Sequence, residues 1–288
     1  MKLFLRTMYN VQRTTLLALV LVTIFFGAGC DVETVKNTGR FPQPANHAVE
    51  TPEETVAPLS DFMVRRSVAY NDGRVVTFLV AKLSTDDFKW GLAEDSLAPK
   101  TVMAWRQELG ADLVINGSYF DEMMQATGYY HPAGATSTRI AWPSRDSQSD
   151  ELSYTGLVQI VNGDLNLFYL PAQTLKESAP DVAAFLTFPT LVADGKTLIK
   201  TDSQKYAHRT VLAKDMNGTP YVIITESGSP SLFEMAEWLV AQPERFAIAV
   251  NLDGGPSTGM SYADDKIKLE VTSAAVPNVV YLKRADSR

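Results

Sequence analysis

Four Asx-Gly pairs, Asp72-Gly73, Asn162-Gly163, Asp194-Gly195 and Asn217-Gly218, sit between short apolar runs. Asparagine and especially glycine reach positive φ at little cost, which is what a tight hairpin turn demands. The flanking runs RVVTFLVAKL, GLVQIV, LNLFYL, TVLAKD and YVIIT are rich in β-branched and aromatic residues. Reversals this short join antiparallel neighbours, so the spacing predicts a largely antiparallel or mixed β-sheet core.

Helical spacing is found in two places. From Pro99 to Leu109 it sets Val102, Trp105 and Leu109 on one side. A second segment opens at Ser231 and stops before Pro243. Ser231 and Glu234 form a capping box, and Leu232, Met235, Ala236, Leu239 and Val240 give the apolar face. No repeat or second linker breaks residues 60–288, so the expectation is a single α+β domain of roughly 230 residues with a few packing helices.

The N-terminus is of another kind. Lys2, Arg6 and Arg13 precede the apolar stretch Leu16–Phe26, which is short for a membrane span. Gly27-Ala28-Gly29 and the single cysteine, Cys30, follow. This order resembles a bacterial lipobox, with Gly27 where a larger aliphatic residue is usual. Residues 1–29 are therefore expected to be a lipoprotein-type signal peptide, with Cys30 the lipidated residue. An ordinary cleaved signal or an uncleaved anchor is the alternative. Residues 30–59, with Pro42, Pro44, Pro52 and Pro58, read as a disordered tether. The expected location is the cell envelope, anchored to the membrane and facing the periplasm or exterior, without disulfides. Loss of the three basic leader residues moves the formal charge from −7 to −10, which argues against a nucleic-acid partner.

Two strand ends carry the chemistry. In Phe246-Ala-Ile-Ala-Val-Asn-Leu-Asp253, a regular strand sets Phe246, Ile248, Val250 and Leu252 on one face and Ala247, Ala249, Asn251 and Asp253 on the other. Gly254 and Gly255 then allow a sharp turn or close ligand approach, and Ser257 and Thr258 add hydroxyls. Asp-Gly-Gly alone fits a capped strand end better, and Asn251 before it with Ser257-Thr258 after it bring the two readings level. Asp112–Asp121, DLVINGSYFD, has the same plan: an apolar strand, Asn116, Gly117, then the carboxylate of Asp121. Paired carboxylates suit glycosyl transfer, although Asp121 also fits a turn cap. Arg209, beside Thr210, offers a rigid fork for phosphate or carboxylate. Its neighbour His208 reads more simply as a turn residue.

Other chemistries fit less well. Gly255–Gly259 matches G-x-S-x-G, but that elbow needs a histidine downstream and the last one is His208. No lysine follows the glycines as in a phosphate loop. No cofactor motif is evident. A hard divalent cation held by Asp, Asn and backbone oxygens is compatible with the residue types.

The segments VINGSYFD, FPTLVADGK, HRTVLAKDMNG, SLFEMAEWLV, NLDGGPSTGM and VPNVVYL, in this order, resemble the phosphodiester glycosidase family, whose bacterial members are often tied to exopolysaccharide biosynthesis. The resemblance implies cleavage between a sugar anomeric carbon and a phosphodiester, on a glycan or sugar-phosphate substrate. It implies that Asp253 or Asp121 serves at the sugar, and that Arg209 and the amides around Gly254 and Gly255 grip phosphate. Asn116, Gly117, Thr210, Asn251, Ser257 and Thr258 would hold the substrate. Ser118 and Pro256 stand where relatives often have glycine, and Glu226 where they carry a small or polar residue. These departures favour the alternative, a non-catalytic glycan-binding envelope lipoprotein. An enzyme requires Asp121, Asp253 and Arg209 to lie about one sugar-phosphate apart.

Overall fold

The structure, a computed structural model, describes residues 53–134, 155–172, 179 and 181–285. The expected signal peptide, Cys30 and most of the expected tether lie outside the described residues. The chain begins with β1 (Glu53–Pro58), β2 (Met63–Ala69), β3 (Val75–Lys82), β4 (Phe88–Glu94), α1 (Val102–Leu109), β5 (Leu113–Asn116) and β6 (Tyr130–His131). It continues with β7 (Gly156–Val161), β8 (Asp164–Tyr169), β9 (Ala183–Thr187), β10 (Thr190–Ala193), β11 (Lys196–Thr197), β12 (Thr210–Asp215) and β13 (Pro220–Ser227). The last elements are α2 (Leu232–Ala241), β14 (Phe246–Asn251), β15 (Met260–Ala263), β16 (Lys268–Val271) and β17 (Asn278–Arg284).

These strands form three sheets, ordered β1-β2-β3-β13-β12-β14-β10-β11, β16-β15-β5-β17-β4 and β6-β9-β7-β8. Every pairing between these strands is antiparallel. The α+β class therefore holds in its broad sense, with β-structure dominant and two α-helices among the described residues. All four Asx-Gly pairs turn the chain between paired strands. Asn162-Gly163 and Asp194-Gly195 have positive φ at both residues (53° and 81°, 49° and 70°), the primed-turn conformation that only such pairs reach cheaply.

The main core is shared by all three sheets, with Leu79, Ile115, Phe185, Leu212, Val250 and Val280 among its members. On the outer face of the eight-stranded sheet, Met235, Ala236 and Leu239 of α2 pack with Phe78, Val211 and Ala249. On the five-stranded sheet, Val102 and Trp105 of α1 pack with Val114 and Val279.

Three expectations change. The tether was expected to reach Leu59, yet β1 pairs along its length with β2. All six of its side chains are exposed, so its sequence carries no apolar alternation, and Pro58 sits where an edge strand tolerates it. The first helix starts at Val102, because Thr101 is its N-cap and accepts from the Ala104 amide at 3.3 Å. In β14 the register against β12 shifts between the Ile248 and Phe246 pairs. This bulge puts Phe246 in the helix-side core with Ala249, while Ile248, Val250 and Leu252 face the central core. Phe246 therefore does not share a face with the other three.

The capping box of α2 is present in both directions: Glu234 N donates to Ser231 Oγ at 3.2 Å, and Ser231 N to Glu234 Oε2 at 2.9 Å. Ser231→Ala is expected to lower unfolding stability by about 1 kcal/mol. In urea unfolding this moves the midpoint and leaves the slope unchanged.

Candidate active site

One strand from each sheet ends at the same place: β5 at Asn116, β14 at Asn251 and β9 at Thr187. Asn116 is fully buried. Its Oδ1 accepts from Thr210 Oγ1 (2.7 Å) and the Gly259 amide (3.2 Å), and its Nδ2 donates to the Asp253 carbonyl (2.8 Å). Asn251, 1% exposed, donates from Nδ2 to the Leu252 carbonyl at 2.7 Å and lies 3.3 Å from the Phe188 carbonyl. The same nitrogen donates to the Tyr119 hydroxyl at 2.7 Å. That hydroxyl is 2.6 Å from the Phe188 carbonyl and 3.0 Å from that of Leu252, one of which takes its proton. The Thr187 hydroxyl donates to the Asn251 carbonyl.

The turn after β14 is closed on itself. The Gly254 amide donates to Asp253 Oδ1 (2.9 Å), Gly255 to the His208 carbonyl (2.9 Å), Ser257 to the Gly254 carbonyl (3.3 Å) and Thr258 to that of Gly255 (3.1 Å). Pro256 has no N–H. The expected phosphate cradle of Gly254 and Gly255 amides is therefore not open, because each is already paired within the fold. The glycines serve the geometry instead. A Cβ on Gly254 would lie 2.9 Å from the His208 carbonyl and 3.7 Å from Arg209 Nη1, and Gly255 has φ +60°. A Cβ on Gly117 would lie 2.1 Å from Asn278 Oδ1. That oxygen accepts from the Ser118 amide at 2.6 Å, with the Ser118 hydroxyl 3.3 Å away.

Arg209 is buried, with its backbone amide on Thr225 Oγ1 (3.1 Å). Its Nε donates to the Pro230 carbonyl (3.3 Å) and its Nη2 to that of Lys205 (2.7 Å). Among the described residues no carboxylate forms an ion pair with it. Burial pulls its pKa below the ordinary arginine value and pushes that of Asp253 above the ordinary carboxylate value, against the hydrogen bonds from Ser257 and Gly254. Burial raises Tyr119 most of all, helped by the charge of Asp253 and opposed by that of Arg209 and by the bond from Asn251. The phenol thus senses both charged groups.

The expected site residues divide in three. Asp253, Gly254 and Gly255 reach partial exposure, with Arg209 and Ser257 beside them almost covered. Asn116, Gly117, Thr210, Asn251 and Thr258 are buried; Asn116, Thr210 and Asn251 hydrogen-bond across the strand ends, whereas the Thr258 hydroxyl has no partner among the described residues. Asp121 stands apart. It is exposed, and its Oδ1 accepts from the Met123 and Gln125 amides, each at 2.9 Å. It caps a turn.

The Gly255–Ser257 segment is a 3-10 turn that leads into strand β15, which is not a nucleophile elbow. Glu226 makes a two-pronged ion pair with Arg65, both contacts at 2.5 Å. Among the described residues no cluster of three or more His, Cys, Asp or Glu is arranged for a metal ion. Sequence reasoning missed Tyr119 and Asn278. Both lie inside the quoted motifs, where attention went to carboxylates and glycines.

Residues 109–283 match the phosphodiester glycosidase family. The chain belongs to that family. The matched span contains every residue of the strand-end network. No curated protein matches the chain. Among solved structures, the catalytic domain of zebrafish N-acetylglucosamine-1-phosphodiester alpha-N-acetylglucosaminidase, auto-inhibited by its pro-peptide, has the same fold. Its TM-score is 0.56 at 18% identity, covering 85% of this chain and 92% of that one. A hypothetical protein from Synechocystis gives 0.49 at 14% identity, covering 81% of this chain and 64% of that one.

Two outcomes are expected of this family member's site. Asp253 has a raised native pKa, so its contribution favours folding below its unfolded pKa and is lost as pH rises through the native value. Asp253→Asn should therefore be more stable than the parent at neutral pH, with the gap closing as pH falls below the carboxylate range in denaturant titrations. Tyr119→Phe removes one acceptor of the Asn251 amide and the donor to one carbonyl, and should lose about 1–3 kcal/mol in the same assay.

Proposed function

We propose that the chain is an exported phosphodiester glycosidase, lipid-anchored at Cys30, which hydrolyses the bond between a sugar anomeric carbon and a phosphodiester in envelope or extracellular glycans. The observation that carries the reading is Arg209: a buried guanidinium beside Gly254, the residue that follows Asp253, with no carboxylate paired to it among the described residues. An uncompensated buried cation costs on the order of several kcal/mol. An anionic substrate relieves that cost, and a phosphodiester is such an anion. Family membership gives the same substrate class.

The chemistry follows from charge. As the C1–O bond breaks, the anomeric carbon gains positive charge and the phosphate oxygen gains negative charge. Asp253 faces the first and Arg209 the second, in a site with little water to screen either. Water adds to the anomeric carbon, one proton leaves it, and a phosphate monoester departs with the bonding pair. That group leaves well without protonation, so the reading relaxes the requirement for Asp121, whose Oδ1 is engaged in a turn, and rests on Asp253 and Arg209. The leader residues Lys2, Arg6, Arg13 and Cys30 support export and anchoring. A second reading, glycan binding without cleavage, is favoured by the closed amides of the Gly254–Thr258 turn.

The test incubates the folded protein with a panel of sugar 1-phosphodiesters and follows free reducing sugar. Turnover is expected, with kcat reduced on the order of 10²–10⁴-fold in Asp253→Ala. Arg209→Lys should lower kcat/KM by about 10- to 100-fold, as a charge-assisted fork is lost. Binding of the same compounds without turnover would replace the enzyme by the binding protein.

A further inference from the structure

A concavity among the described residues lies at the opposite end of the strands from Asn116. It is a groove of about 910 Å³, within the usual size of small-ligand sites. Asp112 in its lining precedes β5, so at ~3.3 Å per residue it lies about 13 Å along the strand from Asn116.

Its walls are held by internal contacts. Phe62 and Phe88 line it with ring centroids 5.4 Å apart, and Phe62 meets Tyr262 edge-on at 5.3 Å. Arg284 donates to the Tyr262 hydroxyl at 3.1 Å and pairs with Asp264 at 3.4 Å and Asp112 at 3.6 Å. Asp264 Oδ1 accepts the Lys266 and Ile267 amides at 2.8 Å each. Against this fixed frame, the carboxylates of Asp61, Asp87 and Asp265 are exposed and form no ion pair with any described residue.

The lining chemistry selects the ligand. Five aspartates face three basic side chains, so a phosphodiester or other anion is repelled. A lipid would strip water from carboxylates without offering donors. Hydroxyl groups do offer donors to carboxylates, and the C–H face of a pyranose ring suits a phenylalanine ring. We propose that this groove is a second binding site, for a neutral saccharide chain. The proposal is independent of the activity assigned to the strand-end site.

The experiment titrates the full chain with neutral oligosaccharides, a chitin hexamer and maltohexaose, by calorimetry. Saturable binding of at least one, unchanged in 0.5 M salt on the order expected for an uncharged ligand, is the expected result. It should weaken at least about 10-fold in Asp87→Ala/Asp265→Ala and in Phe62→Ala, and persist in Asp253→Ala. The aspartates are exposed, so the double variant keeps the test valid if Phe62→Ala fails to fold. Absence of saturation up to about 10 mM, weaker than any useful site, overturns the proposal. So does binding that the double variant leaves unchanged. Binding of oligolysine in place of the saccharides, abolished by salt, assigns the groove to a cationic partner instead.

Discussion

The side-chain amide of Asn116 has no access to water, so its bonds to Thr210, Gly259 and Asp253 must form together as the sheets close. A buried amide left unbonded costs about 1–3 kcal/mol per group, which makes the closed arrangement sharply preferred over near neighbours. Asn251 links the third sheet through its Nδ2, which reaches Tyr119 and the Phe188 carbonyl, and through its backbone carbonyl, which accepts the Thr187 hydroxyl, while its Oδ1 has no partner among the described residues. Each sheet alone has a free strand end. Together the two carboxamides give those ends one geometry, and Asp253 receives its place from it, since its carbonyl is one of the acceptors.

The same closure sets the electrostatics. Once the ends are joined, Arg209 is buried and Asp253 and Tyr119 are half-buried, and burial is the largest influence on the protonation of all three. Burial disfavours the charged form of each group, so the carboxylate and guanidinium are held at a cost that the rest of the fold covers. Such a cost is useful where charge develops during a reaction, because fixed groups in a dry site act more strongly than solvated ones. The structural ion pair Arg65–Glu226 shows the contrast: both charges are satisfied there, and neither is left for a ligand.

Turn chemistry and alternation made most of the sheet legible in the sequence. Asn162-Gly163 and Asp194-Gly195 could hardly be anything but hairpin turns, and the Ser231–Glu234 box marked α2. What was not legible depends on contacts across long stretches of chain. The bulge that moves Phe246 to the other face arises from pairing with Asp215, which local periodicity does not contain. β1 has no buried face at all, so no pattern announces it. At the site, residue types alone did not show that Asn116, Thr210 and Asn251 are buried and hydrogen-bonded across the strand ends. Tyr119 was passed over because a phenol in an apolar motif looks like core until its hydroxyl is seen between two strand ends.

Phosphate recognition is where this chain parts most from the pattern of its own motif. A glycine-rich turn usually grips an anion with free amides, and here each amide from Gly254 to Thr258 already has an acceptor while Pro256 has none to give. The turn is therefore a rigid wall, and its glycines matter for what they leave out. Without a side chain at Gly254, the His208 carbonyl can come close and accept the Gly255 amide, and without one at Gly117, Asn278 can hold the Ser118 amide. On the proposed reading, anion binding falls to a single guanidinium whose Nε and Nη2 are anchored on carbonyls. A site of that kind would discriminate by position more than by number of contacts, with Nη1, beside Gly254, the nitrogen left for the anion.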